Sequence, residues 1–154
     1  MTYGDVVSDD LYRQIILDHY QNPRGLGHLE CATHRQEGTN PSCGDTLELE
    51  LNVKDGVVED ARFEGSGCSI SMASASMLCE AIKGKSLTEA LAVAHAFKAR
   101  LLGKTAPNEA DEEVDIGDLE ALDGVKAYPV RIKCALLSWD TLLQAVGDEH
   151  ASAS

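Results

Sequence analysis

Apolar and polar residues alternate through residues 46–63, and this alternation is the clearest pattern in the chain. A two-residue period is typical of a strand with one buried face. The first apolar positions in the pattern are Leu47, Leu49, Leu51 and Val53. Asp55-Gly56 then provides a turn signal, because glycine tolerates a positive φ. The pattern therefore predicts an antiparallel hairpin over residues 46–63.

Helical spacing and helix-boundary residues predict one helix before this hairpin and one helix after it. The first is amphipathic, with Ser8 or Asp9 as its N-cap, and it ends at Asn22-Pro23. The second follows a glycine-containing loop, is rich in small residues, and ends at Gly84. Between the first helix and the hairpin the sequence is typical of a loop, with one short strand around residues 29–35.

Two further helices are predicted in the second half of the chain. One is opened by a capping box, Ser86 with Glu89, and ends at Gly103. The other has Pro129 in its first turn. Its core stripe consists of Ile132, Leu136, Trp139, Leu143 and Val146. Residues 147–154 are expected to form a flexible tail.

The order of these elements predicts the fold class. A hairpin followed by helices, without alternating strand–helix–strand units, indicates an α+β fold with helices packed on one face of a small antiparallel sheet. The 154 residues suit a single domain over 1–154. The segment 104–124 carries eight acidic residues against one lysine, and we expect it to be a mobile polar connection.

The charge of the chain restricts its partners. The formal net charge is −13, which argues against a nucleic-acid partner and against anionic membrane surfaces, and favours a basic patch on a partner protein. No apolar run approaches the roughly 20 residues of a membrane span. The N-terminus shows no secretory signal pattern, so we expect a cytoplasmic protein.

Five cysteines are the candidates for chemistry, and in a reducing compartment they are metal ligands, reactive thiols or core residues. Cys43 and Asp45 lie in "NPSCGD", just before the hairpin, and Cys68 lies just after it. A hairpin returns the chain to its starting point, so residues 43–45 and Cys68 should lie at the same end of the sheet.

Cys68 and Cys134 both lie near helix starts. The positive end of a helix dipole and its free N–H groups stabilise a thiolate, which favours a reactive Cys68. Cys134 faces away from the core stripe of its own helix, so packing alone does not require it. Three such cysteines and Asp45 provide four ligands for a tetrahedral Zn²⁺, and the carboxylate indicates a site that opens.

Simpler interpretations remain for several residues. Free cysteine is often buried in a core, and this suits Cys79 and Cys31. Asp45 alone could be an ordinary turn residue. Among the histidines, we expect His95 at the core or its boundary and His19 at the surface or an interface. His28 and His34 receive no role.

The cysteine motifs resemble those of a known family. "NPSCGD", "GSGCSIS" and "RIKCALLSW", together with "ILDHYQNPRGLG" in the first helix, resemble the IscU-like iron–sulfur cluster assembly proteins from about residue 9 to about residue 146. Scaffold members usually have a histidine before the third cysteine, whereas this chain has Lys133. The stretch at about 85–123, between the second and third cysteine motifs, also resembles an insertion found in the SufU-type branch. That branch contains zinc-dependent sulfurtransferases.

The resemblance implies a function and a ligand set. It implies Zn²⁺ bound by Cys43, Asp45, Cys68 and Cys134, with Cys43 as the sulfur acceptor. It also implies a SufS-type PLP-dependent cysteine desulfurase as partner, and downstream SUF cluster-assembly proteins. Arg131 and Lys133 would engage the desulfurase or support the persulfide, or they are ordinary surface bases. The alternatives are a scaffold that binds iron and assembles a [2Fe–2S] cluster, and a zinc ion that only stabilises the fold.

Overall fold

Three strands form one antiparallel sheet in the computed structural model, which describes residues 3–41, 44–103 and 117–153. The strands are β1 (His34–Asn40), β2 (Asp45–Lys54) and β3 (Val57–Ser66), and β2 lies in the centre. The predicted hairpin is confirmed as β2 and β3. The short strand expected around residues 29–35 instead occupies His34–Asn40. Its position is set by backbone pairing with β2 and not by an apolar pattern of its own.

Local chemistry explains the turn between β2 and β3. Asp55 and Gly56 have φ values of 55° and 78°. Two consecutive positive φ angles match the twist of the flanking strands, and aspartate and glycine tolerate them best. The register shifts between Asn52 and Val53. Val53, expected on the buried face, is therefore only half-buried.

The helices follow the predicted order, with two differences in their bounds. They are α1 (Tyr3–Gln21), α2 (Ser69–Ile82), α3 (Leu87–Leu101) and α4 (Pro129–Ala153), with a 3₁₀ helix (Gly117–Ala127) before α4. The helix α1 begins at Tyr3, so Ser8 and Asp9 are not its caps. The helix α4 continues through residues 147–153, where we expected a tail. Within the described ranges, no helix is long and apolar enough to cross a membrane.

The predicted boundaries of α2 and α3 are confirmed. Ser86 accepts a hydrogen bond from the Glu89 N–H at 3.1 Å, and the Glu89 carboxylate accepts one from the Ser86 N–H at 3.2 Å. This reciprocal capping box satisfies two N–H groups that have no partner within the helix. Gly84 and Gly103 follow the ends of the two helices with φ values of 84° and 70°.

The helices cover one face of the sheet and bury a single apolar core, which confirms the α+β prediction. Its largest fully buried side chains include Trp139 of α4 and Phe97 of α3, whose ring centroids lie 5.6 Å apart. The 3₁₀ helix contributes Leu119 and Leu122. The end of the acidic connection is therefore packed on the core, contrary to our expectation of a mobile segment. Residues 104–116 lie outside the described ranges.

The segment between α1 and β1 forms hydrogen bonds with β3, the edge strand on the other side of the sheet from β1. The Phe63 N–H donates to the Gly25 carbonyl at 2.8 Å, and the Gly27 N–H donates to the Phe63 carbonyl at 2.9 Å. Gly25 has a φ of 83°, and a Cβ there would lie 2.6 Å from Cys79 Cβ. Only glycine fits this approach, which brings His28 over the face of the sheet that the helices leave open.

Candidate metal centre

One carboxylate and two thiols converge at one end of the sheet. Asp45 is the first residue of β2, Cys68 is the N-cap of α2, and Cys134 lies in α4 close to its start. The ligand atoms of these three residues all lie within 4.8 Å of one another. Asp45 and Cys134 are buried, and Cys68 is half-buried. The cluster therefore has the dimensions of a metal site at the edge of the core.

The hairpin geometry explains why Asp45 and Cys68 meet. Asn40 and Asp45 pair across β1 and β2, and the Gly44 N–H donates to the Asn40 carbonyl at 2.9 Å. Gly44 has a φ of 72°, which favours glycine at the turn. The prediction that Asp45 and Cys68 share one end of the sheet is confirmed. Cys43, the third residue of that prediction, lies outside the described residues.

The Asp45 carboxylate is held by hydrogen bonds from residues at the start of α2. Its Oδ1 accepts from the Cys68 N–H at 3.0 Å, and its Oδ2 accepts from the Ser71 hydroxyl at 2.5 Å. A Cβ on Gly67 would lie 2.6 Å from Oδ1. Glycine at position 67 therefore makes room for the carboxylate, which is oriented rather than free to rotate as an exposed turn residue would be.

The start of α2 stabilises the Cys68 thiolate. Cys68 Sγ accepts a hydrogen bond from the Ser71 N–H at 3.4 Å, as an N-cap does. Burial acts to raise the pKa of Cys68, but hydrogen bonds with the Ser71 hydroxyl and N–H and with Cys134 outweigh it, so the pKa is lowered. The nearby Asp45 charge opposes this. The predicted effect of the helix start on Cys68 is therefore present.

Cys134 is fully buried, yet it lies outside the apolar core cluster and its sulfur faces the site. The Asn40 side-chain amide donates to Cys134 Sγ at 3.8 Å. The Ser71 hydroxyl lies 3.3 Å from the Cys134 carbonyl. One turn further, the Ser74 hydroxyl donates to the Ala135 carbonyl at 2.5 Å. Two serines of α2 thus fix the position of α4 beside the site.

The other predicted residues are not part of this cluster. Arg131 and Lys133 are exposed on the first turns of α4, near Cys134 in the chain. Cys79 is buried as predicted, and burial raises its pKa to about 12. Cys31 is exposed, so its assignment to the core was wrong.

Both histidine expectations were also wrong. His95 is exposed on α3 rather than at the core. His19 is fully buried rather than at the surface, because its Nδ1 lies 2.8 Å from the hydroxyl of Ser76 on α2. Ser76 also accepts from the Arg24 N–H at 2.8 Å, so this polar cluster attaches α1 and the following loop to α2.

Two residues of the site were missed from the sequence: Asn40 and Ser71. Ser71 lies three positions after the N-cap residue Cys68, where the side chain and the backbone N–H commonly form hydrogen bonds with the N-cap residue. That spacing was a usable signal. Asn40 contacts a residue 94 positions away, and no local pattern indicates such a contact.

The donor set fits a metal ion of intermediate softness. Two sulfurs and one carboxylate oxygen suit Zn²⁺ or iron, which accept thiolate and oxygen ligands, better than Mg²⁺ or Ca²⁺, which prefer oxygen alone. The three donors leave one position of a tetrahedron for a further ligand. The lowered pKa of Cys68 favours metal binding, because metal ions bind the thiolate form.

The fold and these motifs place the chain in a known class. Residues 11–148 match the NifU-like N terminal domain family, and the chain belongs to that family. It is 50% identical over 142 residues to the zinc-dependent sulfurtransferase SufU of Bacillus subtilis (strain 168), covering 92% of this chain and 93% of that protein.

Two other relatives extend the comparison. The chain is 39% identical over 136 residues to the iron–sulfur cluster assembly scaffold protein IscU of Thermotoga maritima, covering 88% of this chain and 92% of that protein. The crystal structure of a SufU from Fervidobacterium islandicum AW-1, proposed as a scaffold for the SUF system, matches with a TM-score of 0.78 and 36% identity. That match covers 86% of this chain and 94% of that one. The predicted resemblance to IscU-like proteins and to SufU is confirmed.

Proposed function

We propose that this protein is a zinc-dependent sulfurtransferase of iron–sulfur cluster assembly, which accepts persulfide sulfur from a cysteine desulfurase. The observation that carries the proposal is the convergence of Asp45, Cys68 and Cys134 within 4.8 Å. Identity of 50% to a protein named as a zinc-dependent sulfurtransferase supports it. The proposed ligands are these three residues and Cys43.

Cys43 is the proposed acceptor. It precedes Asp45 by two residues in the sequence, and two residues of chain span at most about 7 Å. This proximity in the sequence supports Cys43 as the fourth ligand and as the acceptor. Bound by these residues, zinc would keep the thiols deprotonated at neutral pH and protect them from unspecific oxidation.

The transfer step is a thiol–disulfide type exchange. The Cys43 thiolate attacks the outer sulfur of a persulfide on the desulfurase cysteine. A new S–S bond forms at Cys43, the S–S bond of the desulfurase breaks, and its cysteine leaves as a thiolate. The outer sulfur carries its own proton or charge with it, so no external oxidant or reductant is needed.

The remaining residues of the centre have supporting roles. Ser71 and the Cys68 N–H hold the Asp45 carboxylate, which would provide the oxygen ligand of the zinc site. Arg131 and Lys133, exposed on the first turns of α4, are proposed to contact the desulfurase or the anionic persulfide. The proposed partner is a SufS-type, PLP-dependent cysteine desulfurase, and downstream SUF assembly proteins would receive the sulfur.

The second candidate function is a scaffold that binds iron and assembles a [2Fe–2S] cluster. Relatives named as IscU scaffolds favour it, and thiolates with a carboxylate bind iron as well as zinc. Two features favour sulfur transfer instead. The identity to the sulfurtransferase is higher, and Lys133 stands where scaffold members usually have histidine.

Metal analysis combined with a desulfurase assay distinguishes these functions. We expect the protein purified without oxygen to hold one tightly bound zinc per chain. Removing it should abolish the stimulation of sulfur release by a SufS-type desulfurase, and re-addition should restore it. Stimulation that survives zinc removal would contradict the proposal. A labile [2Fe–2S] cluster that passes to an apo-protein, with zinc dispensable, would establish the scaffold.

Substitution of the acceptor is the sharper test. Cys43→Ala should abolish sulfur acceptance and leave a folded helical domain. Cys31→Ser is the matched control, because Cys31 is an exposed cysteine outside the cluster. Cys43→Ala protein that stimulates the desulfurase as well as wild type would show that another thiol accepts the sulfur. Asp45→Ala should change metal release or transfer, and unchanged values for both would return Asp45 to an ordinary turn residue.

A further inference from the structure

Asn40, the last residue of β1, contacts the metal centre through its side chain and its backbone. Its side-chain amide donates a hydrogen bond to Cys134 Sγ at 3.8 Å. Its backbone carbonyl accepts from the Gly44 N–H at 2.9 Å, and it pairs with Asp45 across β1 and β2. Asn40 is only 7% exposed. One buried residue is therefore placed beside two of the described ligands, Asp45 and Cys134.

The donor set of the centre carries more negative charge than a divalent ion neutralises. As metal ligands, Cys68, Cys134 and Asp45 carry three negative charges, and Cys43 would add a fourth. Negative charge in a buried site costs free energy unless hydrogen-bond donors compensate it. The ligand atoms therefore need N–H and O–H donors around them in addition to the metal ion.

Each described ligand has such a donor. The Ser71 N–H donates to Cys68 Sγ, and the Ser71 hydroxyl donates to the Asp45 carboxylate. Cys134 is fully buried, and its sulfur receives the amide N–H of Asn40, which lies 94 positions away on a different element. Asn40 therefore has the same relation to Cys134 as the start of α2 has to Cys68.

The chemistry of the amide suits a metal-bound sulfur. A neutral thiol is a weak hydrogen-bond acceptor, whereas hydrogen bonds to an ionised acceptor are roughly twice as strong as neutral ones. An N–H donor beside a ligand sulfur also withdraws electron density from it, and such hydrogen bonds tune thiolate metal sites. The contact between Asn40 and Cys134 is therefore worth most when the sulfur is a thiolate ligand.

From this geometry we propose that Asn40 is a positioning residue of the metal centre, whose side-chain amide holds the Cys134 sulfur in place as a metal ligand. The proposal rests on the metal centre proposed above and does not depend on the transfer of sulfur. A sulfur that is both buried and hydrogen-bonded is a poor nucleophile. Asn40 thus favours Cys134 as a permanent ligand and leaves the acceptor role to another cysteine.

The test measures zinc affinity, by competition with a chelator of known affinity, and the absorption spectrum of the Co²⁺-substituted full chain. Asn40→Ala should weaken zinc binding by about 10-fold or more, as loss of a group that orients a ligand typically does. The thiolate-to-Co²⁺ charge-transfer band should move to longer wavelength, because the N–H no longer stabilises the sulfur electrons. Asn40→Asp places a carboxylate of the same size against the sulfur, so it should weaken zinc binding further.

Two variants serve as matched controls. Thr141→Val changes a residue that is buried on α4, whose hydroxyl donates to the Leu137 carbonyl at 2.7 Å rather than to the centre. Asn22→Asp repeats the change from amide to carboxylate at an exposed position. Both should keep the zinc affinity and the cobalt spectrum of wild type.

A double-mutant cycle shows whether Asn40 acts through Cys134. In a Cys134→Ala background, which lacks the sulfur, adding Asn40→Ala should cause no further loss of zinc affinity. A further loss as large as in wild type would overturn the proposal. An unchanged zinc affinity in Asn40→Ala alone would overturn it too.

The remaining outcomes separate positioning from packing and from sulfur transfer. Weaker zinc binding in Asn40→Ala with an unchanged charge-transfer band, or an equal loss in Thr141→Val, would assign the effect to packing of α4 and would overturn the proposal. Failure of the sulfurtransferase function has a different signature. Zinc affinity would then depend on Asn40 as expected, but the zinc-loaded wild type would not stimulate the desulfurase.

Discussion

The backbone N–H of Cys68 donates a hydrogen bond to the Asp45 carboxylate at 3.0 Å, and this contact joins the first residue of β2 to the N-cap of α2. The same carboxylate accepts from the Ser71 hydroxyl. A side chain that can bind a metal is thus held by α2 before any metal arrives. The position of Asp45 is therefore a property of the fold itself.

Replacing Ser71 should loosen the centre without unfolding the protein. Ser71→Ala removes the 2.5 Å hydrogen bond to Asp45, and loss of a group that orients a ligand typically costs about 10- to 100-fold in metal affinity. The measurement is competition for Zn²⁺ with a chelator of known affinity. Ser74→Ala is the control, since Ser74 is equally buried on α2 but donates to the Ala135 carbonyl. Equal affinity loss in both variants would indicate a general effect of α2 packing.

Adding one methyl group beside the carboxylate should have a similar effect. In Gly67→Ala the new Cβ would lie 2.6 Å from Asp45 Oδ1, so the carboxylate must move. We expect weaker zinc binding and slower sulfur transfer with near-normal circular dichroism. Gly124→Ala is the control, because a Cβ there meets nothing within 4 Å. Wild-type zinc affinity in Gly67→Ala would show that the orientation of Asp45 does not matter for the metal.

The buried Glu50 should make the protein sensitive to acid. Burial acts to raise its pKa, but hydrogen bonds from the Leu29 N–H, Arg35 and His28 outweigh this and hold the pKa below its ordinary value. A lowered folded-state pKa contributes stability that is present above the unfolded value of about 4.3 and is lost as the pH falls through the folded value.

Glu50→Gln tests this contribution. At pH 7 we expect a loss of about 1–3 kcal/mol in the free energy of unfolding, because charged hydrogen bonds to a buried group are lost. Between pH 6 and pH 3 the variant should lose less stability than wild type. Urea unfolding at several pH values measures both effects, with the exposed Glu59→Gln as control. Parallel stability curves for wild type and Glu50→Gln would contradict the assignment.

The cysteines should separate into two classes by reactivity. Cys79 is buried with a pKa of about 12, and the thiolate is the reactive form, so a thiol reagent should reach it only on unfolding. Cys31 is exposed and should react at once. Cys79→Ser should keep the full metal content, although a buried hydroxyl costs about 1–3 kcal/mol. Loss of metal in Cys79→Ser, but not in Cys68→Ser, would mean that the ligand set is misassigned.

Elements with local signals were predictable from the sequence. The turn at Asp55-Gly56 and the capping box at Ser86 depend on residues within a few positions of one another. The strand β1 was misplaced because residues 34–40 contain no aliphatic or aromatic core residue. Its conformation is imposed by pairing with β2, where Gly38 lies opposite Leu47. A strand defined by its neighbour cannot be located from its own pattern.

The candidate centre was predictable to the same extent. The hairpin geometry brings Asp45 and Cys68 together, and only hairpin closure was needed to infer it. The role of Asn40 depends on how α4 packs against β1, which no local pattern specifies. The burial of His19 likewise depends on Ser76, 57 residues away.

The distribution of the three donors along the chain has a consequence for biosynthesis. Asp45 and Cys68 are 23 residues apart, but Cys134 enters the cluster only after α4 has packed against α2 and β1. A nascent chain that ends before Cys134 cannot form the complete centre, however long it waits on the ribosome. With the ligands proposed above, metal loading would be completed late, and an ion held earlier by Cys43, Asp45 and Cys68 would still lack the Cys134 thiolate.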